Sequence, residues 1–277
     1  MSVGKTTRKA LPFSNVVATG QATNRITIGK TLNNLQLQLG GTALTKAMIS
    51  MFRLKANAKT IFEGSGTQID LINAYRGLTT AAQFLDIPFE DLSGLDQLDR
   101  FIGALDTSRG IADLTTEVDI AGATAPTLGA RLHEAAPQRQ ADGSPSPFAG
   151  LMCKQLRYGF AVSAAGQLPL NFPFGPQSGA VIKRVHVFNT GGFMTGATVK
   201  EDGLIIHEST KAQNEYEQIR NKRVPQANMY TIDFVLDGNV RNAFDTRRAQ
   251  SVEWLFDFSA ADSGFVVIEY LDLLGNL

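Results

Sequence analysis

The sequence predicts a mainly β protein built as two tandem eight-stranded jelly rolls, a double jelly roll with short helices in its loops. Three observations carry the prediction. Tyr230–Gly238 (YTIDFVLDG) alternates at the period of a half-buried strand, with Tyr230, Ile232, Phe234 and Leu236 on one parity and Thr231, Asp233 and Asp237 on the other. That stretch has a partner 145 residues upstream, LDIPFED at Leu85–Asp91, which sets Ile87 against Ile232 and Phe89 against Phe234. Further segments match in the same order along the chain, as a duplication requires. Lys55–Glu63 (KANAKTIFE) pairs with Lys200–Glu208 (KEDGLIIHE) at 145, and Thr115–Gly122 (TTEVDIAG) with Val252–Ala260 (VEWLFDFSA) at 138. A length change in a surface connection accounts for the shorter spacing.

Met1–Ser14 reads as an arm carrying Lys5, Arg8 and Lys9, mobile or tied down only by a partner. Strands then follow at Arg25–Ile28, Leu32–Leu39, Met48–Leu54 and Thr60–Glu63. A helix opens next with the capping pair Thr67 and Asp70, matched in the second half by Thr210 and Gln213; these helices end near Tyr75 and Arg220. After the strand Leu85–Phe89, Ser93 and Asp96 open a helix that places Leu95, Leu98, Ile102 and Leu105 on one face, and Asn239–Arg248, with Val240, Ala243 and Phe244, is its counterpart. Strands at Leu114–Ile120 and Thr127–Glu134 complete the first half. Ala135–Ala149, with three prolines, Gly143, Ser144 and Ser146, is the linker, giving an arm and first jelly roll over 1–140 and a linker and second jelly roll over 141–277. The second half repeats the plan at Leu156–Val162, Gly179–Asn189, Thr198–Glu201, Leu204–His207, Tyr230–Leu236, Val252–Phe258 and Phe265–Leu273, so each half has about eight strands.

Composition narrows the function. With 43% apolar residues in 277, the chain has enough material for two cores, and 26 basic against 26 acidic side chains leave it no net charge, so direct nucleic-acid binding is not expected. The longest apolar run, FVVIEYLDLL, is interrupted by acids, and Met1–Ala10 is basic and polar, so neither a transmembrane helix nor a secretory signal is expected. The single cysteine, Cys153, excludes an intrachain disulfide and reads as a small buried hydrophobe.

Catalytic patterns fail on spacing. GKT occurs at Gly4–Thr6 and Gly29–Thr31, yet a phosphate loop needs a glycine five residues earlier; the first has no room for it and the second has Asn24 there. A two-cupin metalloenzyme would gather several histidines with a carboxylate, whereas His133, His186 and His207 each stand alone in a strand pattern. Arg220, Lys222 and Arg223 follow a helix and suit its negative C-terminal end as solvated charges, with a subunit contact as their functional reading. Asp237–Asn239 is first of all a turn, and a hard cation such as calcium would need oxygens from several segments.

NEYEQI after Lys211, YTIDFVLDG and the closing GFVVIEYLDLL resemble the C-terminal half of double jelly-roll major capsid proteins of the corticovirus type, from tailless, membrane-containing icosahedral double-stranded DNA bacteriophages. PFSNVVATGQATNRITIG resembles the first strands of that family, while Ala81–Pro147 departs from its pattern. The resemblance implies a non-enzymatic capsid protein of the virion, assembled in a bacterial host. It implies trimeric, pseudo-hexagonal capsomers that tile an icosahedral shell around an internal membrane. Its partners would be other copies of the chain, penton or membrane proteins and, indirectly, the lipid vesicle. No cofactor is required, and calcium is allowed. Lys5, Arg8 and Lys9 are then expected to face the membrane or the shell interior. The alternative readings are a jelly-roll carbohydrate-binding spike and the two-cupin enzyme; Trp254, the one tryptophan, lies in a strand pattern and supplies a sugar platform poorly.

Overall fold

A computed structural model of the chain describes residues 5–92, 94, 100–139, 142–144, 146, 150–172 and 180–277. The chain divides into two compact units. Unit 1 holds Met1–Ala74, Leu78–Leu156 and Leu271–Leu277, and unit 2 holds Tyr75–Gly77 and Arg157–Tyr270.

In unit 1 the elements are β1 (Thr6–Lys9), β2 (Gly20–Arg25), β3 (Thr31–Ala43), β4 (Ile49–Ala56), β5 (Lys59–Gly64), helix α1 (Gly66–Tyr75), β6 (Phe84–Pro88), β7 (Leu105–Asp106), β8 (Leu114–Ile120) and β9 (Thr124–Ala135). They form one sheet in the order β1-β9-β3-β6, with β7 beside β3, and a second strand path β5-β4-β8-β2. Alternation on β3, β4 and β8 sends Leu35, Leu37, Phe52, Leu54, Val118 and Ile120 inward, where they join Leu85, Ile87 and Leu132 in one core. Rings of Phe52 and Phe62, then Phe62 and Phe89, stack edge to face at 5.8 and 6.3 Å.

The chain continues with β10 (Leu151–Val162), whose residues up to Leu156 belong to unit 1, and then in unit 2 with β11 (Gly166–Pro169), β12 (Val181–Asn189), β13 (Met194–Glu201), β14 (Leu204–Thr210), helix α2 (Lys211–Arg220), β15 (Met229–Asp233), β16 (Phe244–Asp245), β17 (Val252–Phe258) and β18 (Asp262–Leu273), whose last residues from Leu271 return to unit 1. These strands follow the paths β10-β18-β12-β15, with β16 beside β12, and β11-β17-β13-β14. The two paths of unit 1 thus recur strand for strand. Val185, Val187, Val199, Ile232, Phe256, Val266 and Ile268 are all fully buried here.

The duplication holds at element boundaries. β4 and β13, α1 and α2, and β6 and β15 begin and end 145 residues apart, while β8 and β17, and β9 and β18, do so at 138. The change of spacing falls between Pro88 and Leu114 in one half and Asp233 and Val252 in the other. Even the hairpin turn repeats: Asn57 and Ala58 (φ +48° and +67°) join β4 to β5, and Asp202 and Gly203 (φ +49° and +84°) join β13 to β14, the doubly left-handed turn that matches strand twist.

Several expectations are corrected. The organising strand is Met229–Asp233, shorter than Tyr230–Leu236, because the Asp233 carboxylate accepts from Val235 N at 3.0 Å and turns the chain; Phe234 is half-buried and Val235 is buried in its stead. Strands begin at Thr6, and the one expected at Arg25–Ile28 is Gly20–Arg25; its inward residues are Ala22 and Asn24, so the apolar alternation is weak. The helix cap in the first half is Ser65 with Gln68, two residues before Thr67 and Asp70, with Gln68 N bonded to Ser65 Oγ at 3.2 Å and Ser65 N to Gln68 Oε1 at 3.1 Å. Asp70 instead pairs with Lys46. Val240–Asn242 and Thr246–Arg248 are single 3-10 turns flanking β16, not a helix. Ser93, Leu95, Asp96, Leu98, Gln140, Ala141, Pro145, Pro147–Ala149 and Gly179, on which the second helix, the linker and one strand start were expected, lie outside the described residues. Ile102 and Leu105 are buried, the latter in β7.

Candidate functional site

The histidines do not converge. His133 sits half-buried on β9, His207 on β14 and His186 fully buried on β12, and among the described residues no group of three or more His, Cys, Asp or Glu side chains is placed to hold a metal. Cys153 is buried and in no disulfide, and Trp254 is 3% exposed, with Phe172 and Phe244 packed edge to face against its ring. Gly29 of the second GKT has φ +111° and leads into β3.

The N-terminal segment is held in place from Thr6, contrary to the expected mobile arm. β1 pairs antiparallel with β9 from Thr6↔Glu134 to Lys9↔Arg131. Arg8 donates through Nε and Nη2 to the two oxygens of Glu134 at 2.7 Å each, and its Nη1 reaches Thr27 Oγ1 at 2.7 Å. This bidentate hydrogen bond raises the Arg8 pKa from its ordinary value. Glu134 is 3% exposed, so Arg8 neutralises a buried carboxylate, with Lys30 at 3.7 Å as a second cation. Lys5 is 65% exposed and 3.7 Å from Glu90, and Lys9 is exposed on β1. The segment borders a cleft of about 300 Å³ whose walls include Asn33, Asp86, Glu90 and Glu134.

The strongest electrostatic feature is a buried ionic cluster in unit 2. Arg184 of β12 donates from Nε to Asp233 Oδ2 at 3.0 Å and from Nη1 to Glu269 Oε2 at 3.2 Å, all three side chains being 2% exposed or less. Arg76 also bonds Glu269, Tyr75 OH donates to Asp233 Oδ2 at 3.0 Å, and Arg223 Nε lies 3.7 Å from the same oxygen. His186 lies between Thr231 Oγ1 at 2.9 Å and Glu269 Oε1 at 3.3 Å. Burial works against the Glu269 charge, yet Arg76, the His186 bond and Arg184 hold its carboxyl well below the usual range. Burial lowers the His186 pKa, a shift that Glu269 opposes and the two guanidiniums reinforce.

The strand pattern hides this cluster. In VIKRVHVFN nearly every residue of β12 is buried whatever its polarity, and the acids come from β15 and β18, far along the chain. Arg223, read as solvated, is 6% exposed and belongs to the cluster, while Arg220 is exposed beside Glu217 at 3.4 Å. Lys222 has φ +62°. Asp237 makes the expected turn, accepting from Asn239 N at 3.0 Å and from Asn242 Nδ2 at 2.8 Å.

Comparison with known proteins locates this architecture. Residues 7–133 match the family model for the viral coat protein P2 N-terminal domain and residues 152–274 that for the viral coat protein P2 C-terminal domain. Among solved structures, the major capsid protein P2 of bacteriophage PM2 is similar at TM-score 0.86 and 18% identity, over 98% of both chains. A chain of Sulfolobus turreted icosahedral virus is similar at TM-score 0.73 and 14% identity, over 97% of this chain and 91% of that one. The Faustovirus major capsid protein is similar at TM-score 0.58 and 8% identity, over 98% and 90%. No curated protein sequence matches the chain.

Proposed function

Since the chain belongs to the viral coat protein P2 family, we propose that three copies close into a pseudo-hexagonal capsomer and that such capsomers tile an icosahedral shell around an internal membrane. As a coat protein it is a structural component of the virion capsid and not an enzyme. The observation that supports the finer reading is the duplication: two units with the same strand paths, at constant offsets, let a threefold ring present six similar units. Interfaces of obligate size, above about 2,000 Å² in total, are expected between copies. Light scattering of the purified protein tests this. A mass of three chains is expected, and a single-chain mass at every concentration would overturn it. Protein stoichiometry of purified particles is the second check, since a shell protein dominates it whereas a spike is a minor band.

We also propose that Lys5, Arg8 and Lys9 lie on the side of the shell that faces the membrane or the interior. Arg8 contributes by anchoring β1 through Glu134, while Lys5 and Lys9 present their charges outward. Anionic head groups attract each exposed lysine by about 1 kcal/mol, a weak effect multiplied over many copies. Lys5→Gln with Lys9→Gln is expected to lower binding to anionic vesicles, most at low salt. Equal binding by the variant at all ionic strengths would remove the idea.

A further inference from the structure

β14 ends the path β11-β17-β13-β14, antiparallel to β13 on one side, with no strand on its other side among the described residues. It carries three successive apolar residues in the open: Leu204 is 73% exposed, Ile205 55% and Ile206 37%. The helix that follows packs against β14 and turns its polar face inward. Asn214 and Gln218 of α2 are buried and both donate to Thr231 O at 2.8 Å, while Ala212, Tyr216 and Ile219 form an outward stripe, the last two 64% and 63% exposed. A helix ordinarily buries its apolar stripe, and an open edge strand with an apolar run is a template for another chain; on β14 the run Leu204–Ile206 precedes the one charged residue of the strand, Glu208.

The equivalent strand of unit 1 is covered from Ile61 onward, while Lys59 and Thr60, the counterparts of Leu204 and Ile205, are exposed and half-buried polar residues. Ile61 and Phe62 of β5, which correspond to Ile206 and His207, are 0% and 4% exposed, and Phe62 lies in parallel register with Gln155 of β10. Helix α1 is seated as α2 is, since Asn73 Nδ2 bonds Asp86 O at 2.7 Å just as Gln218 bonds Thr231 O. Yet α1 buries apolar residues, Ile69 and Ile72, each 1% exposed. Inside the same duplicated frame, one copy of the edge is paired and the other is bare.

We propose that β14 and the Ala212–Tyr216–Ile219 stripe form the face on which a second copy of this chain docks. β10, which covers the edge of β5, opens the second repeat; a second copy brings an equivalent opening strand to β14. The proposal rests on the self-assembly reading above and names the surface that this reading leaves open.

The test compares Ile205→Glu, Ile219→Glu and their double variant with the unchanged chain and with Leu11→Glu, an exposed apolar position of unit 1. All substituted positions are open to solvent, so circular dichroism is expected to stay as in the unchanged chain. Light scattering across a dilution series is expected to show self-association weakened about tenfold or more by each β14 or α2 variant, and unchanged by Leu11→Glu. Variants that keep the fold and associate at the original concentration would overturn the surface and leave self-assembly standing. An unchanged chain that never associates would overturn both. Because Cys153 is buried, Ile205→Cys gives a single reactive thiol for cross-linking in assembled particles. Linkage to a peptide of this same chain is expected, and linkage to a different virion protein alone would overturn the choice of partner.

Discussion

Arg184 is a fully buried guanidinium in a β-strand, and its environment explains why that is tolerable. Two carboxylates, Asp233 and Glu269, take its hydrogen bonds, and Arg76, His186 and Tyr75 complete the set around them. Removing one partner of such a group leaves an uncompensated buried charge, at a cost of about 3–5 kcal/mol. Glu269→Gln is therefore expected to lower unfolding stability by that order, read as a shift of the urea midpoint. Replacing Arg184 and Glu269 together by Met and Leu is expected to cost less than Glu269→Gln alone. His207 makes a second prediction. Burial lowers its pKa to about 4 from the ordinary 6.5, and its Nε2 has no hydrogen-bond partner among the described residues. Between those values the unfolded chain binds a proton that the folded chain refuses, so stability is full above pH 6.5 and falls as pH drops toward 4. Burial of His186 acts in the same direction. Denaturation of dilute protein at a series of pH values is expected to show this loss, and His207→Gln to reduce it by about 2 kcal/mol after allowance for the partial exposure of the ring.

At the scale of elements, the two halves use equivalent caps and turns with different residues. Thr210 and Gln213 form a capping box at α2, with Thr210 Oγ1 accepting from Gln213 N. Ser65 and Gln68 stand at the equivalent place before α1, 145 residues earlier. Either cap replaced by Ala is expected to cost about 1 kcal/mol, whereas Thr67→Ala, at the position that sequence spacing favoured, is expected to change stability by less than about 0.5 kcal/mol. Thermal unfolding of the three variants checks the assignment. The strand β18 imposes a stricter limit. A Cβ on Gly264 would stand 1.9 Å from Phe188 O, a backbone atom that cannot swing away, so Gly264→Ala must separate neighbouring chain segments and is expected to be strongly destabilising.

At the scale of the whole molecule, assembly and stability are linked. If copies bind one another only when folded, association stabilises the folded chain by mass action. The unfolding temperature is expected to rise with protein concentration over a hundredfold range, and Ile205→Glu is expected to abolish that dependence. Scanning calorimetry at several concentrations distinguishes this from a fixed stability.

The sequence by itself determined the duplicated β plan. A period of two, interrupted by turns and repeated in order at spacings of 145 and 138, is a local signal that needs no knowledge of what touches what, and the limits of β8 and β17 agree with it to the residue. The strand ends were less legible where polar residues point inward, as Asn24 does on β2, or where a side chain turns the backbone, as Asp233 does after β15. Only the tertiary structure decided the fate of the charges. Arg8 looked like part of a free arm and Arg223 like a solvated cluster, because a sequence shows a charge without the carboxylate that meets it: Glu134 lies 126 residues from Arg8, and Glu269 lies 85 from Arg184. The same holds for the bare edge of β14. Its apolar run reads like any buried strand, and the difference from β5 arises from a neighbour, β10, that pairs with one edge and leaves the other open. Periodicity is a property of a segment, whereas burial of a charge or exposure of an edge is a property of which segments meet.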